Sequence, residues 1–237
     1  MTTTALITGA NKGIGFEIAR QLAERGVTAI VGARDEERGR AAAERLGQPY
    51  VRLDVTDEES VQAAAKQIER DHGRLDVLVN NAAIAGGWPP EPNPSATTAA
   101  ALREVYETNV FGVVTVTNAM LPLLRRSEVG RIVNLSSELG SIALALDPGT
   151  PFYENNLLAY NSSKTALNMV TASYAKELRD TPIKVNACSP GYCATDLNGH
   201  TGFRTPEQGA VIAVRLATLG ADGPTGAFLT EDGPLSW

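Results

Sequence analysis

The chain reads as an α/β protein, a doubly wound parallel sheet of Rossmann-like type. Three observations predict it. Short β-branched runs alternate with longer helical stretches along all 237 residues, the pattern of a parallel sheet with helices on both faces. The run Leu75–Asn80 is nearly continuous in apolar residues, as a strand buried on both faces must be. The stretch Thr4-Ala-Leu-Ile-Thr-Gly9-Ala-Asn-Lys12-Gly13-Ile-Gly15 reads as strand, glycine-rich turn and helix start. That arrangement aims backbone N–H groups and the positive end of a helix dipole at an anionic phosphate. Its Gly-x3-Gly-x-Gly spacing is neither Gly-x-Gly-x-x-Gly nor the Gly-x4-Gly-Lys-Ser/Thr of a P-loop, which argues against a P-loop kinase or ATPase.

The elements follow in order. Thr4–Thr8 is the first strand, and Gly13–Arg25 is a helix with Ile14, Ile18 and Leu22 on one face. Val27–Ala33 is the second strand, Glu36–Leu46 a charged surface helix and Pro49–Leu53 the third strand. Asp57–Asp71 is a helix capped by Thr56 or Asp57, and Leu75–Asn80 is the fourth strand. A loop, Gly86–Ser95, carries Pro89, Pro90, Pro92 and Pro94. Helices follow at Thr98–Tyr106 and Asn109–Arg126, the second predicted to kink at Pro122. Arg131–Ser136 is the fifth strand, Leu139–Leu158 is irregular, Ala159–Arg179 is a long helix and Ile183–Ser189 is the sixth strand. Thr195–Arg204 reads as a mobile loop. Thr205–Thr218 is a helix with Thr205 as N-cap, Pro206 at N1 and Gln208 completing a capping box, and Gly226–Thr230 is the last strand.

The length and a hydrophobic share of 43% suit one domain over 1–237 with a sizeable core. A net charge of −6 without basic clusters argues against nucleic acid as a partner. Cys188 and Cys193 match no metal spacing and are expected to be reduced and structural. No secretory signal and no membrane-length apolar run is visible, so a cytoplasmic protein is expected.

The acid that binds an adenosine ribose 2′-OH belongs at the end of the second strand. Two readings compete there. Asp35 lies twenty residues beyond Gly15, which by counting makes it that acid and predicts NAD. If the strand ends at Ala33, Arg34 points at the ribose instead and Asp35 caps the next helix. With Lys12 supplying a second cation, a 2′-phosphate is then favoured, and NADP(H) is the preferred reading.

Tyr160-Asn-Ser-Ser-Lys164 sits on the long helix, where residues four apart are neighbours. A fixed cation beside a phenol favours phenolate, which is expected to bring Tyr160 down into the range of acid–base catalysis. Alone, such a pair carries little weight. Its surroundings carry more: Thr8-Gly-Ala-Asn-Lys-Gly-Ile-Gly15, Leu53-Asp-Val55, Asn80-Asn-Ala-Ala83, Asn109, Asn134-Leu-Ser-Ser137, Tyr160-x3-Lys164 and Ser189-Pro-Gly191 leading to Thr195 stand in this order. In these motifs the chain resembles the short-chain dehydrogenase/reductase family over nearly its whole length. Gly9-Ala-Asn-Lys-Gly-Ile-Gly-Phe-Glu17, Ala33-Arg-Asp35 and Gly226-Ala-Phe-Leu-Thr-Glu231 resemble the carbonyl reductase branch.

The resemblance implies that Tyr160 exchanges the proton with the substrate oxygen and that Lys164 binds the nicotinamide ribose and lowers the tyrosine pKa. It implies that Ser137, rather than neighbouring Ser136, donates a hydrogen bond to the substrate oxygen, and that Asn109 holds a relay water. The cofactor side would be Gly9, Asn11, Lys12, Gly13, Ile14 and Gly15 in the loop and Arg34 at the strand end. Asp54 and Val55 would flank adenine, Asn81, Ala82 and Ala83 the adenosine ribose, and Pro190, Gly191, Cys193 and Thr195 the nicotinamide half.

Three departures stand out. Ala83 replaces a usual Gly. Ser137 and Tyr160 are separated by 22 residues, about ten more than in most relatives, so the segment Leu144–Leu158 is expected either to wall the substrate site or to cover the helix surface that relatives use to associate. Pro234 replaces a second Gly near the C-terminus, leaving monomer or dimer open. Trp88, Ile142, Phe152, Tyr192 and Phe203 are candidate pocket residues. The expected function is NADPH-dependent reduction of a small ketone or aldehyde, with no metal. The alternatives are an NAD-dependent alcohol dehydrogenase acting oxidatively and a non-catalytic NADP(H) sensor.

Overall fold

In a computed structural model the described residues are 2–87, 89, 91 and 93–237; Trp88, Pro90 and Pro92 lie outside them. The chain alternates β1 (Thr4–Thr8), α1 (Gly13–Ala23), β2 (Thr28–Ala33), α2 (Glu36–Leu46), β3 (Tyr50–Arg52), α3 (Glu58–His72) and β4 (Val77–Asn80). It continues with α4 (Ala99–Tyr106), a π-helical turn (Glu107–Phe111), α5 (Gly112–Leu124), β5 (Arg131–Leu135), α6 (Ile142–Ala145), α7 (Leu158–Glu177), β6 (Lys184–Cys188), α8 (Pro206–Ala217) and β7 (Phe228–Leu229). The strands form one parallel sheet in the order β3-β2-β1-β4-β5-β6-β7. The doubly wound architecture read from the sequence is present.

Alternation along the strands sorts the core into two layers. Ala5, Ile7, Val79 and Val133 pack with α1, α2 and α8 on one face. Leu6, Ile30, Leu78 and Ile132 pack with Val61 and Ile68 of α3, Met120 and Leu124 of α5 and Ala175 of α7 on the other. Each large aliphatic side chain buried in this way contributes roughly 1.5–3 kcal/mol. The cap assignments hold: Asp35 accepts from Arg38 N at 2.9 Å, Asp57 from Glu59 N at 3.1 Å, and Thr205 and Gln208 form a reciprocal box.

Two departures from the sequence reading bear on function. The turn Glu107–Phe111 is π-helical, a wide turn of the kind that marks functional sites; Pro122 lies near the end of α5 without ending it. The segment 139–158 is not wholly irregular, since a 3-10 turn (Glu138–Gly140) and α6 occupy its start.

A buried polar ladder crosses the sheet. Asn80 Nδ2 donates to Asn134 Oδ1 at 2.8 Å, in the register that pairs these residues. Asn134 Nδ2 donates to Thr171 Oγ1 at 2.8 Å, and Thr171 Oγ1 to Leu167 O at 2.8 Å. Asn80 also reaches Thr117 Oγ1 of α5 at 3.2 Å. The ladder pins α5 and α7 to the central strands, and each member is satisfied, as buried polar groups must be. Asn134→Ala removes a partner from both neighbours and is expected to cost about 2 kcal/mol, read as a lower urea midpoint with unchanged slope; an unshifted midpoint contradicts this role for the ladder.

Candidate functional site

The glycine loop leaves the carboxyl end of β1 at the point where the sheet order reverses, between β1 and β4, the position of ligand crevices in such sheets. Gly9 and Gly13 have positive φ, 65° and 57°. A Cβ on Gly9 would lie 3.0 Å from Ala82 Cα, and one on Gly15 would collide with the Asn81 amide and approach Gly9 O at 2.7 Å. The loop is held from β4: Asn81 N and Ala82 N both donate to Thr8 Oγ1 at 3.0 Å, and Asn81 Nδ2 donates to Thr8 O at 2.8 Å. The Asn81 side chain is therefore committed to loop carbonyls rather than facing a ribose. Lys12 at the N-cap of α1 makes no side-chain cap bond, whereas Asp35, Asp57 and Thr205 cap α2, α3 and α8. The first-turn N–H groups around Asn11, Gly13, Ile14 and Gly15 are thus left for an anion.

β2 ends at Ala33, Asp35 is spent as the cap of α2 and lies near Arg38 at 3.5 Å, and Arg34 is exposed with no ion pair among the described residues. Of the two readings of this strand end, the geometry matches the one that puts Arg34 forward. Lys12 is not free: its ammonium pairs with Asp196, which also receives His200 Nε2 at 2.8 Å. Asp54 Oδ1 accepts from Thr56 N at 3.0 Å, and Val55 packs against Gly112.

At the carboxyl end of β5 the two serines separate. Ser136 is buried and donates to Asn168 Oδ1 at 2.6 Å; Ser137 is partly exposed, accepts from Leu139 N at 3.2 Å and lies near enough to the Tyr160 phenol to act against the rise in its pKa. Of the two, Ser137 is the one beside Tyr160. Its turn docks on α7 because Gly140 has no side chain: a Cβ there would lie 2.8 Å from Lys164. Gly140 O accepts from Thr165 Oγ1 at 2.9 Å and Asn168 Nδ2 at 3.2 Å.

Lys164 is buried; its Nζ donates to Leu135 O at 2.8 Å and lies 5.5 Å from the Tyr160 ring centre. Burial lowers its pKa to about 8, so it stays charged at neutral pH. Burial also pushes the Tyr160 phenol up to about 12, opposed by the Ser137 hydrogen bond and reinforced by the charge of Glu138. This corrects the expectation of a lowered tyrosine. The ammonium is bonded to a carbonyl rather than to the phenol, and desolvation wins.

The Asn109 side chain is held on both sides: Oδ1 accepts from Ile84 N at 2.9 Å, while Nδ2 donates to Ile84 O at 2.9 Å and Ser163 Oγ at 3.0 Å. Ser163 Oγ donates to Tyr160 O at 2.7 Å. Through Ser163 the Asn109 side chain braces the Tyr160 turn of α7. Sequence reasoning missed Ser163, although it stands three residues after Tyr160 on the same helix face.

Beyond β6, Pro190, Gly191 and Thr195 form the turn facing the glycine loop, where a Cβ on Gly13 would touch Thr195 Cγ2 at 3.7 Å. Cys193 departs from its expected place. Its buried thiol donates to Pro190 O at 3.3 Å and is wedged against Gly209 of α8. The segment 195–204 is tied rather than loose: Asn198 Nδ2 donates to Cys193 O at 2.8 Å, and Ala194 N to Arg204 O at 2.8 Å. Tyr192 and Phe203 meet edge to face at 6.0 Å and are exposed, as is Ile142; Phe152 is partly buried. The segment 144–158 leaves Met169 of α7 68% exposed and Phe111 51% exposed, so it does not cover that helix surface. No helix among the described residues is long and apolar enough to cross a membrane.

Comparison with known proteins agrees with this geometry. The family model described as short chain dehydrogenase matches residues 3–203. The chain is 40% identical to the short-chain dehydrogenase anuI of Penicillium roqueforti, over 96% of this chain and 93% of that protein. It is 34% identical to the NADPH carbonyl reductase 1 of Sus scrofa, over 100% of this chain and 94% of that protein; that alignment spans 281 positions, so the pig protein carries insertions this chain lacks. Among solved structures, the NADPH-bound carbonyl reductase from chicken fatty liver superposes with a TM-score of 0.85 at 28% identity, covering 100% of this chain and 99% of that one.

The high phenol pKa is directly measurable. Ultraviolet difference titration of the free protein against Tyr160→Phe is expected to show one tyrosine ionising near pH 12; a phenolate appearing below pH 9 overturns this account of the site.

Proposed function

The chain belongs to the short-chain dehydrogenase/reductase family, and on that premise we propose that it reduces a ketone or aldehyde to an alcohol with NADPH. The observation that carries the reading is the meeting of Ser137, Tyr160 and Lys164 at the carboxyl edge of the sheet, next to the uncapped start of α1. The residues fit NADP(H). The loop is cleared of side chains at Gly9, Gly13 and Gly15, and its free N–H groups suit a diphosphate. Arg34 has no ion pair among the described residues and would meet a 2′-phosphate, and Asp35 is occupied as a cap. Lys12 of the glycine loop would be the second cation. Its exposed pair with Asp196 contributes only about 0–1 kcal/mol, which a dianionic phosphate outcompetes. The relatives named as NADPH carbonyl reductases support the same choice.

When bound, the cofactor supplies the hydride. The protein's part is orientation and proton management. The Ser137 hydroxyl and Tyr160 phenol both donate to the substrate oxygen and stabilise the charge that develops there. Tyr160, protonated at neutral pH like any phenol, transfers its proton to that oxygen. The Lys164 ammonium beneath the ring stabilises the phenolate left behind, and Asn109 and Ser163 hold the helix turn in place.

Tyr160→Phe is expected to lower kcat for carbonyl reduction by at least ~10²-fold while NADPH still binds; equal rates in both proteins would sink the reductase reading and leave a cofactor-binding protein. Arg34→Ala is expected to raise the NADPH dissociation constant about 10–100-fold and leave NADH within about twofold. Equal losses for both cofactors would remove Arg34 from the phosphate site.

A further inference from the structure

The mechanism leaves one charged side chain at the site without a task. Glu138 follows Ser137 directly and is partly exposed. Its place is fixed from two sides. Its N–H donates to Ser189 Oγ at 3.2 Å, and the Ser189 hydroxyl donates to its Oε2. Gly191 N also donates to Ser189 Oγ at 3.3 Å. The carboxylate is therefore held between the turn that carries Ser137 and the turn that starts Ser189-Pro190-Gly191. Its other oxygen, Oε1, has no hydrogen-bond partner among the described residues, and the group forms no ion pair among them. Its negative charge adds to the larger effect of burial in raising the Tyr160 phenol. Ser189 offers no counter-charge, and the Lys164 ammonium is turned to Leu135 O.

A carboxylate anchored one residue from Ser137 with no ion pair among the described residues attracts a cation on a substrate bound there and repels an anion. Tyr192, three residues after Ser189, meets Phe203 edge to face, an exposed aromatic pair of the kind on which ammonium groups settle. We propose that Glu138 is a specificity-determining residue that selects carbonyl compounds bearing a positive charge, such as a tertiary or quaternary ammonium, over neutral isosteres and over keto acids. The inference rests on the carbonyl-reduction reading and names a substrate class for it.

The test uses three ketones: 1,1-dimethyl-4-oxopiperidinium, its carbon isostere 4,4-dimethylcyclohexanone, and 4-oxocyclohexanecarboxylate. Relative kcat/KM is followed by NADPH oxidation in the wild type, Glu138→Gln and Glu138→Asp. Binding is measured in parallel by calorimetry on Tyr160→Phe and Tyr160→Phe/Glu138→Gln with NADPH present, which needs no turnover. The cation-to-isostere ratio is expected to fall about tenfold in Glu138→Gln, the anion-to-isostere ratio to rise, and Glu138→Asp to keep most of the preference. Because each ratio is taken within one protein, a general loss of stability or rate cancels. Ratios within twofold of each other in wild type and Glu138→Gln overturn the proposal, and turnover of the isostere then leaves the reductase reading standing. A charge preference in binding that depends on Glu138, with no turnover of any probe, supports the site and counts against the reductase reading. If the cation is neither bound nor turned over, the proposal is overturned.

Discussion

The knot of hydrogen bonds at Thr8 and Asn81 is the constraint from which the site follows. The Thr8 hydroxyl accepts from Asn81 N and Ala82 N, and the Asn81 amide donates back to Thr8 O. These bonds join the carboxyl ends of β1 and β4, the two strands whose outgoing connections diverge. Divergence opens a crevice there, and the knot fixes its width. It also explains the glycines. Gly9 and Gly15 have Ala82 and Asn81 where side chains would otherwise stand, so the spacing of the loop is set as much by its neighbour strand as by a phosphate.

From that knot the site is assembled by close approaches that a side chain would block. Gly140 lets the turn after β5 lie on Lys164, and two side chains of α7 bond its carbonyl. The contact sets Ser137 against Tyr160. The polar ladder Asn80–Asn134–Thr171 then ties the same helix to the sheet from below. α7 is therefore held at both its catalytic turn and its middle, which is the preorganisation that acid catalysis needs.

Much of the fold was legible in the sequence because it is encoded locally. Alternation gave the strands, and Asp35, Asp57, Thr205 and Gln208 announced their helix starts by residue type and spacing. The closeness of Tyr160 and Lys164 was legible too, from their helical spacing. The remainder depends on partners distant in the chain. Nothing near Asn109 says that its amide is consumed by Ile84 and Ser163 within a π-helical turn. Nothing near Cys193 says that Gly209 makes room for its thiol. The tyrosine pKa was misread for a related reason: helical spacing shows that Lys164 is near Tyr160, but the outcome depends on desolvation and on the carbonyl of Leu135, which spacing does not report.

The strength of the bonds around the crevice is graded by their burial. Its walls are held by buried or half-buried groups: the Thr8–Asn81 knot, the Gly140 carbonyl and the Asn109 bridge. The link across its mouth is the Lys12–Asp196 pair, with both side chains more than half exposed and His200 on the other carboxylate oxygen. Such a pair is screened by salt and contributes little. Breaking it costs far less than shifting any wall. A groove ordered in this way is rigid along its walls and cheaply opened at the Lys12–Asp196 link.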